Sequence, residues 1–130
     1  MFGLIADQGV GSMPWSPLAA GLVTRPWGDR STTRAKDNPT TDFAGRPLFL
    51  ESDKATVDEV EKIAGVHGVS MATVAMAWVL RNARVTSPIV GATKPKHLTD
   101  AVAALDLKLS DSEAAALEAP YTPRLPTYFA

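Results

Sequence analysis

The sequence contains no cysteine, only two histidines and two tyrosines, and no apolar run near the ~20 residues that span a bilayer. The missing cysteine excludes a disulfide framework, a thiolate metal site and a cysteine nucleophile, and it fits a reducing compartment. Nor does the chain hold a His-Glu-x-x-His zinc motif, a Gly-x-Ser-x-Gly elbow or a Walker loop, so the sequence offers no metal site. Neither sign of charge is in excess. Thirteen Lys plus Arg stand against fourteen Asp plus Glu, a net charge of -1, which gives no reason to expect nucleic acid or acidic lipid as partners. Any basic site must be local. The first residues, Met1 to Asp7, lack the basic start of a secretory leader, and the expectation is a cytoplasmic protein with no membrane segment.

What is present is a 130-residue chain, 45% hydrophobic, which is one domain's length with enough apolar content for a core. Residues 10–15 (Val-Gly-Ser-Met-Pro-Trp) read as a short, mostly buried strand, and Ser16 to Gly21 as the loop that leaves it. Residues 24–52 are polar and broken by Pro26, Gly28, Pro39, Gly45 and Pro47, too long for a simple connector and suited either to a lid or to a loose insertion. Thr56 and Glu59 have the spacing of a capping box for a helix that Gly65 or Gly68 ends. Ser70 then caps a second helix through Arg81, apolar around most of its circumference, in which Trp78 reads as core. His67, in a glycine-flanked helix end, reads as a solvated side chain.

Val85 to Val90 is continuously apolar, as expected of a parallel strand covered on both faces. It runs into Gly91-Ala92-Thr93-Lys94-Pro95-Lys96-His97 and then a helix with Leu98, Ala101, Val102 and Leu105 on one face. Ser110 and Glu113 form a further capping box, and Pro120 stops the last helix before a proline-punctuated tail, 119–130, that carries Tyr121 and Tyr128 without a neighbouring base. The alternation of strand and helix predicts an α/β fold with parallel strands. Two strands cannot cover their own edges. Either another copy or a complementing subunit covers them, or the chain is part of a larger fold.

The turn at Gly91 to His97 holds the one concentrated charge. A helix start already carries partial positive charge, so gathering Lys94, Lys96 and His97 there is unfavourable unless an anion sits among them or water screens them. Gly91 permits close approach of a phosphate, and Thr93 and Lys96 offer donors to it. At the other strand exit, Trp15 presents an aromatic face and Ser16 a hydroxyl. Carboxyl ends of parallel strands are where α/β folds bind ligands.

Taken in order, residues 9–21, the Gly68-Val69-Ser70 turn, the helix through Trp78, residues 85–92 and the Leu105 to Ser110 segment resemble the C-terminal part of the aldo-keto reductase family. The resemblance implies an oxidoreductase whose fold is a (β/α)8 barrel, of which this chain, 1–130, is a single partial domain: the last two βα units plus the C-terminal helix. It implies NADP(H) as cofactor. By resemblance Trp15 stacks on the nicotinamide, Ser16, Pro17, Leu18 and Gly21 line the pyrophosphate, Gly91, Ala92, Thr93, Lys96 and His97 surround the 2'-phosphate, and Asp100 and Ala101 lie near the adenine. Lys94, His97 and Ala101 depart from the residues usual in the family. The family's catalytic Asp, Tyr, Lys and His match nothing here, because roughly the first six βα units of such a barrel have no counterpart in the chain. No residue is therefore given a catalytic role. The expectation is an oxidoreductase fragment that carries part of the NADP(H) site for carbonyl reduction without catalysing alone; the alternatives are a non-catalytic module for NADP(H) or phosphate, or a truncated gene product.

Overall fold

Gly68 takes the left-handed conformation (φ 64°) that ends one helix and lets the next begin. Its neighbour Val69 donates from its backbone N–H to the Ala64 carbonyl at 3.1 Å, the closure expected of a glycine-terminated helix. In this computed structural model, which describes residues 1–29, 31 and 49–123, five α-helices are seen among the described residues. They are α1 (Phe2–Asp7), α2 (Lys54–His67), α3 (Met71–Arg81), α4 (Pro95–Ala103) and α5 (Asp111–Glu118). Most of the expected 24–52 loop and the end of the tail, with Tyr128, lie outside the described residues.

Two of the caps are where the sequence places them. The Ser70 hydroxyl accepts the Thr73 N–H at 3.1 Å, and Ser110 and Glu113 satisfy each other's backbone amides at 3.2 and 2.8 Å. The start of α2 differs. It begins at Lys54, so Thr56 lies inside the helix, and the carboxylate that organises the entry is Asp53, which accepts the Leu50 N–H at 2.9 Å. Of the two glycines proposed as its end, only Gly68 terminates it.

The core forms where α2, α3 and α5 meet, from Val57, Val60, Ile63 and Ala64, with Met71, Val74 and Leu117 packed against them. A second cluster, Met76, Ala77 and Ala104, receives Leu18 and Val90. Helix α3 belongs to both, which explains its near-continuous apolar surface. Trp78 does not join them. It is 41% exposed and donates through Nε1 to Glu118 Oε1 at 3.0 Å, because its place on α3 faces α5's polar end rather than the core.

Among the described residues the strand pairing is reduced to two parallel bridges, Ser12 with Val85 and Trp15 with Ile89. Between the bridges, two residues on one side thus face three on the other. Pro88 has no N–H to give, and the Ser12 carbonyl accepts from both Thr86 (2.9 Å) and Ser87 (3.2 Å). Hydroxyls complete the join: the Ser12 N–H donates to Thr86 Oγ1 at 3.0 Å, and the Ser12 hydroxyl donates to the Arg84 carbonyl. The sequence suggests that residues 10–15 are mostly buried and residues 85–90 covered on both faces, and neither holds. Val10, Met13, Trp15 and Ile89 are exposed, because pairing on one edge and α3 on one side leave the rest of these side chains without neighbours. The same holds for α4, whose expected buried face leaves Leu98 59% and Val102 53% exposed. No single helix among the described residues is long and apolar enough to cross a membrane.

Candidate functional site

The Trp15–Ile89 bridge sets the two strand exits side by side. Ile89 donates its N–H to the Pro14 carbonyl at 2.9 Å, and because the bridge is parallel both segments run the same way and end at the same edge. Leu18 follows one and Val90 the other, and both pack against the Met76 and Ala77 cluster of α3. The loops at 16–21 and 91–97 therefore leave from a common seat.

The first loop holds an unusual backbone. Ser16 (φ 55°), Ala19 (φ 48°) and Ala20 (φ 54°) are the non-glycine residues with positive φ among those described, and all lie within five positions. Such conformations cost about 1–3 kcal/mol each and persist where surrounding contacts impose them, commonly at ligand sites. Gly21 follows at φ 91°, and the chain turns back on itself through Gly21 N–H to the Leu18 carbonyl at 2.8 Å. Thr24 Oγ1 then donates to the Gly21 carbonyl at 2.8 Å. Pro17 and Leu18 sit half-buried at the turn, while Trp15 stands 74% exposed at its mouth.

On the second exit, a Cβ placed on Gly91 would meet nothing within 4 Å, so the space beside that backbone is open. Gly91, Ala92 and Thr93 are exposed, and Lys94 opens α4 with Pro95 in its first turn. The His97 imidazole folds back, its Nδ1 accepting the Thr93 N–H at 3.3 Å. That contact makes Nδ1 the acceptor nitrogen and leaves Nε2 pointing away from the turn. Lys96 Nζ lies 2.9 and 3.1 Å from the two carboxylate oxygens of Asp100. Among the described residues no hydrogen bond joins 16–18 directly to 91–97.

The structure thus brings together Trp15 with the strand that leads to Gly91, Thr93 with His97, and Lys96 with Asp100. Lys96 and Asp100, each expected to meet a ligand, meet each other. Two contacts went unanticipated. Thr73, buried in α3, donates from its hydroxyl to the Asp100 carbonyl at 3.1 Å. His67, expected to be solvated, lies with Nε2 2.6 Å from Glu113 Oε1 and ties α2 to α5. The Ser70 to Thr73 spacing signals only the helix cap, and nothing local signals either contact. The two Ser110 groups, and then His67, hold the Glu113 carboxyl down to about 2. Tyr121 is exposed, and among the described residues no group of three His, Asp or Glu side chains gathers as a metal site.

Comparison with known proteins gives a consistent result. The model of the aldo/keto reductase family matches residues 1–121. A versiconal hemiacetal acetate reductase of Aspergillus parasiticus is 42% identical over 118 residues, covering 91% of this chain and 34% of that protein. A putative aryl-alcohol dehydrogenase of Schizosaccharomyces pombe is 46% identical over 117 residues, covering 88% of this chain and 32% of that protein. Among solved structures, a glycerol dehydrogenase from Gluconobacter oxydans superposes with a TM-score of 0.69 at 25% identity, covering all of this chain and 41% of the other. The chain spans about a third of the length of the curated relatives it matches.

Proposed function

Because the chain belongs to the aldo/keto reductase family, we propose that it forms the last two βα units and C-terminal helix of a (β/α)8 barrel and carries part of an NADP(H) site for carbonyl reduction. The observation that carries this reading is the Trp15–Ile89 bridge, which sets both ligand-facing exits at one edge. The family generally uses a nicotinamide cofactor, and the residues here suit one. Trp15 offers an exposed indole to a planar ring. The turn at Ser16, Pro17, Leu18 and Gly21 is held in a strained form beside it, suited to backbone contacts with a pyrophosphate. Gly91 leaves room for close approach, and Ala92, Thr93, Lys96 and His97, at the start of α4, offer backbone and side-chain donors to a 2'-phosphate. Asp100 lies one turn further along the helix and is the residue assigned to the adenine end.

When bound, the nicotinamide supplies a hydride to a carbonyl carbon. This chain's residues bind and orient the cofactor. None of them is placed as the acid that must protonate the carbonyl oxygen, so the proposal assigns binding to this chain and leaves the chemistry to the family's Asp, Tyr, Lys and His group.

Charge reversal at Lys96 tests the phosphate assignment. In the Lys96→Glu variant, NADPH affinity falls more than NADH affinity, since only the former carries the 2'-phosphate. Equal losses for the two cofactors would remove Lys96 from the phosphate site.

A further inference from the structure

Thr73 is the one buried polar residue among those described, 2% exposed on a helix whose other buried positions are apolar. Packing alone would be served by valine. Its hydroxyl instead completes a chain of hydrogen bonds between two elements. The Thr73 N–H donates to Ser70 Oγ at 3.1 Å, Ser70 Oγ lies 2.9 Å from Thr73 Oγ1, and Thr73 Oγ1 lies 3.1 Å from the Asp100 carbonyl. A carbonyl only accepts, so the Thr73 proton points to Asp100 and the Ser70 proton points to Thr73. The cap of α3 therefore ends on the backbone of α4.

Beyond that anchor, α4 is fixed mainly at its C-terminal end, where its C-cap Ala104 packs into the Met76 and Ala77 cluster of α3. Leu98 and Val102 stand exposed, and no residue within Pro95–Ala103 is buried. A helix packed at one end only can swing or shift at the other, and a directional bond to a carbonyl in its middle opposes such a shift. Asp100 is also the residue whose carboxylate holds Lys96.

We propose that Thr73 is a positioning residue: its hydroxyl registers α4 on α3 and thereby sets the Thr93 to His97 turn against the exit occupied by Trp15. This rests on the cofactor reading above. Thr73 touches no ligand; it acts through the backbone of Asp100.

The test compares Thr73→Val, which keeps the shape and removes the hydroxyl, with Thr73→Ser, which keeps the hydroxyl. Two readouts are taken on the purified chain: amide hydrogen exchange across residues 98–104, and affinities for NADPH and NADH from tryptophan emission. In Thr73→Val, exchange in 98–104 rises relative to α2, and NADPH binding weakens about three- to tenfold while NADH binding changes less. Thr73→Ser restores both. Unchanged exchange in Thr73→Val overturns the anchor. Raised exchange with the NADPH-to-NADH ratio intact, or a Thr73→Ser variant as impaired as Thr73→Val, shows a packing role only and overturns the proposal. A wild-type chain that binds neither cofactor overturns the cofactor reading and the positioning role with it, while the exchange readout still reports separately whether the anchor exists.

Discussion

Lys96 and Asp100 form an ion pair one helical turn apart on α4, with Nζ 2.9 and 3.1 Å from the carboxylate oxygens. Lys96 is largely in water, whereas the Asp100 side chain is mostly covered. The pair resolves the charge crowding at this helix start without a ligand, and it means that a bound phosphate competes with Asp100 for the ammonium. Asp100→Asn removes the competitor. Since such pairs contribute roughly 0.2–1 kcal/mol, NADPH affinity rises by up to about fivefold relative to NADH, measured by titration of the variant against the wild type.

Gly11 faces Thr86. A Cβ on Gly11 would lie 2.8 Å from Thr86 Oγ1, the atom that accepts the Ser12 N–H. Gly11→Ala therefore displaces the hydroxyl that joins the two strand segments, at a cost of about 1–2 kcal/mol in chemical denaturation. In a Thr86→Ala background the same substitution costs less, because the clash has gone and the bond is already lost.

Acid weakens the attachment of α5. The Glu113 carboxyl is held down to about 2 from an ordinary 4.5 by hydrogen bonds from the Ser110 backbone and side chain, then by His67. A carboxyl with a lowered folded-state value contributes its stability above the unfolded value, and that contribution fades as pH falls from about 4.5 towards 2. Denaturation midpoints of Glu113→Gln measured across this range fall less steeply than those of the wild type. Equal slopes would show that Glu113 does not carry the acid sensitivity.

Burial ranks the apolar positions of α3. Met76 is almost fully enclosed, and Met76→Ala costs about 2–5 kcal/mol. Trp78→Phe removes little more than the exposed hydrogen bond to Glu118 and costs under about 1.5 kcal/mol by the same measurement.

Local signals explain what was legible. Ser70, Ser110 and Gly68 act within four residues of themselves, so sequence alone marks the ends they control. Spacing misled at Thr56, where Asp53 claims the helix start first. Periodicity identified the shared face of Leu98 and Val102 but not whether anything packs on it, and Trp78 shows the same limit. Contacts between distant residues, such as His67 with Glu113 or Thr73 with Asp100, depend on how helices dock and leave no trace in spacing. At the candidate site, the residue types pointed to a ligand on each exit. The i to i+4 spacing of Lys96 and Asp100 was equally visible, and it pointed to their pairing.

The proposed nicotinamide-cofactor site has Trp15 at its mouth. Tryptophan emission titrated with NADPH and with NADH tests it most directly, because Trp15 is far more exposed than Trp78 or Trp27. A saturable change is expected, at lower concentrations of NADPH than of NADH, that disappears in Trp15→Phe. Emission unchanged through millimolar concentrations of both cofactors would contradict it.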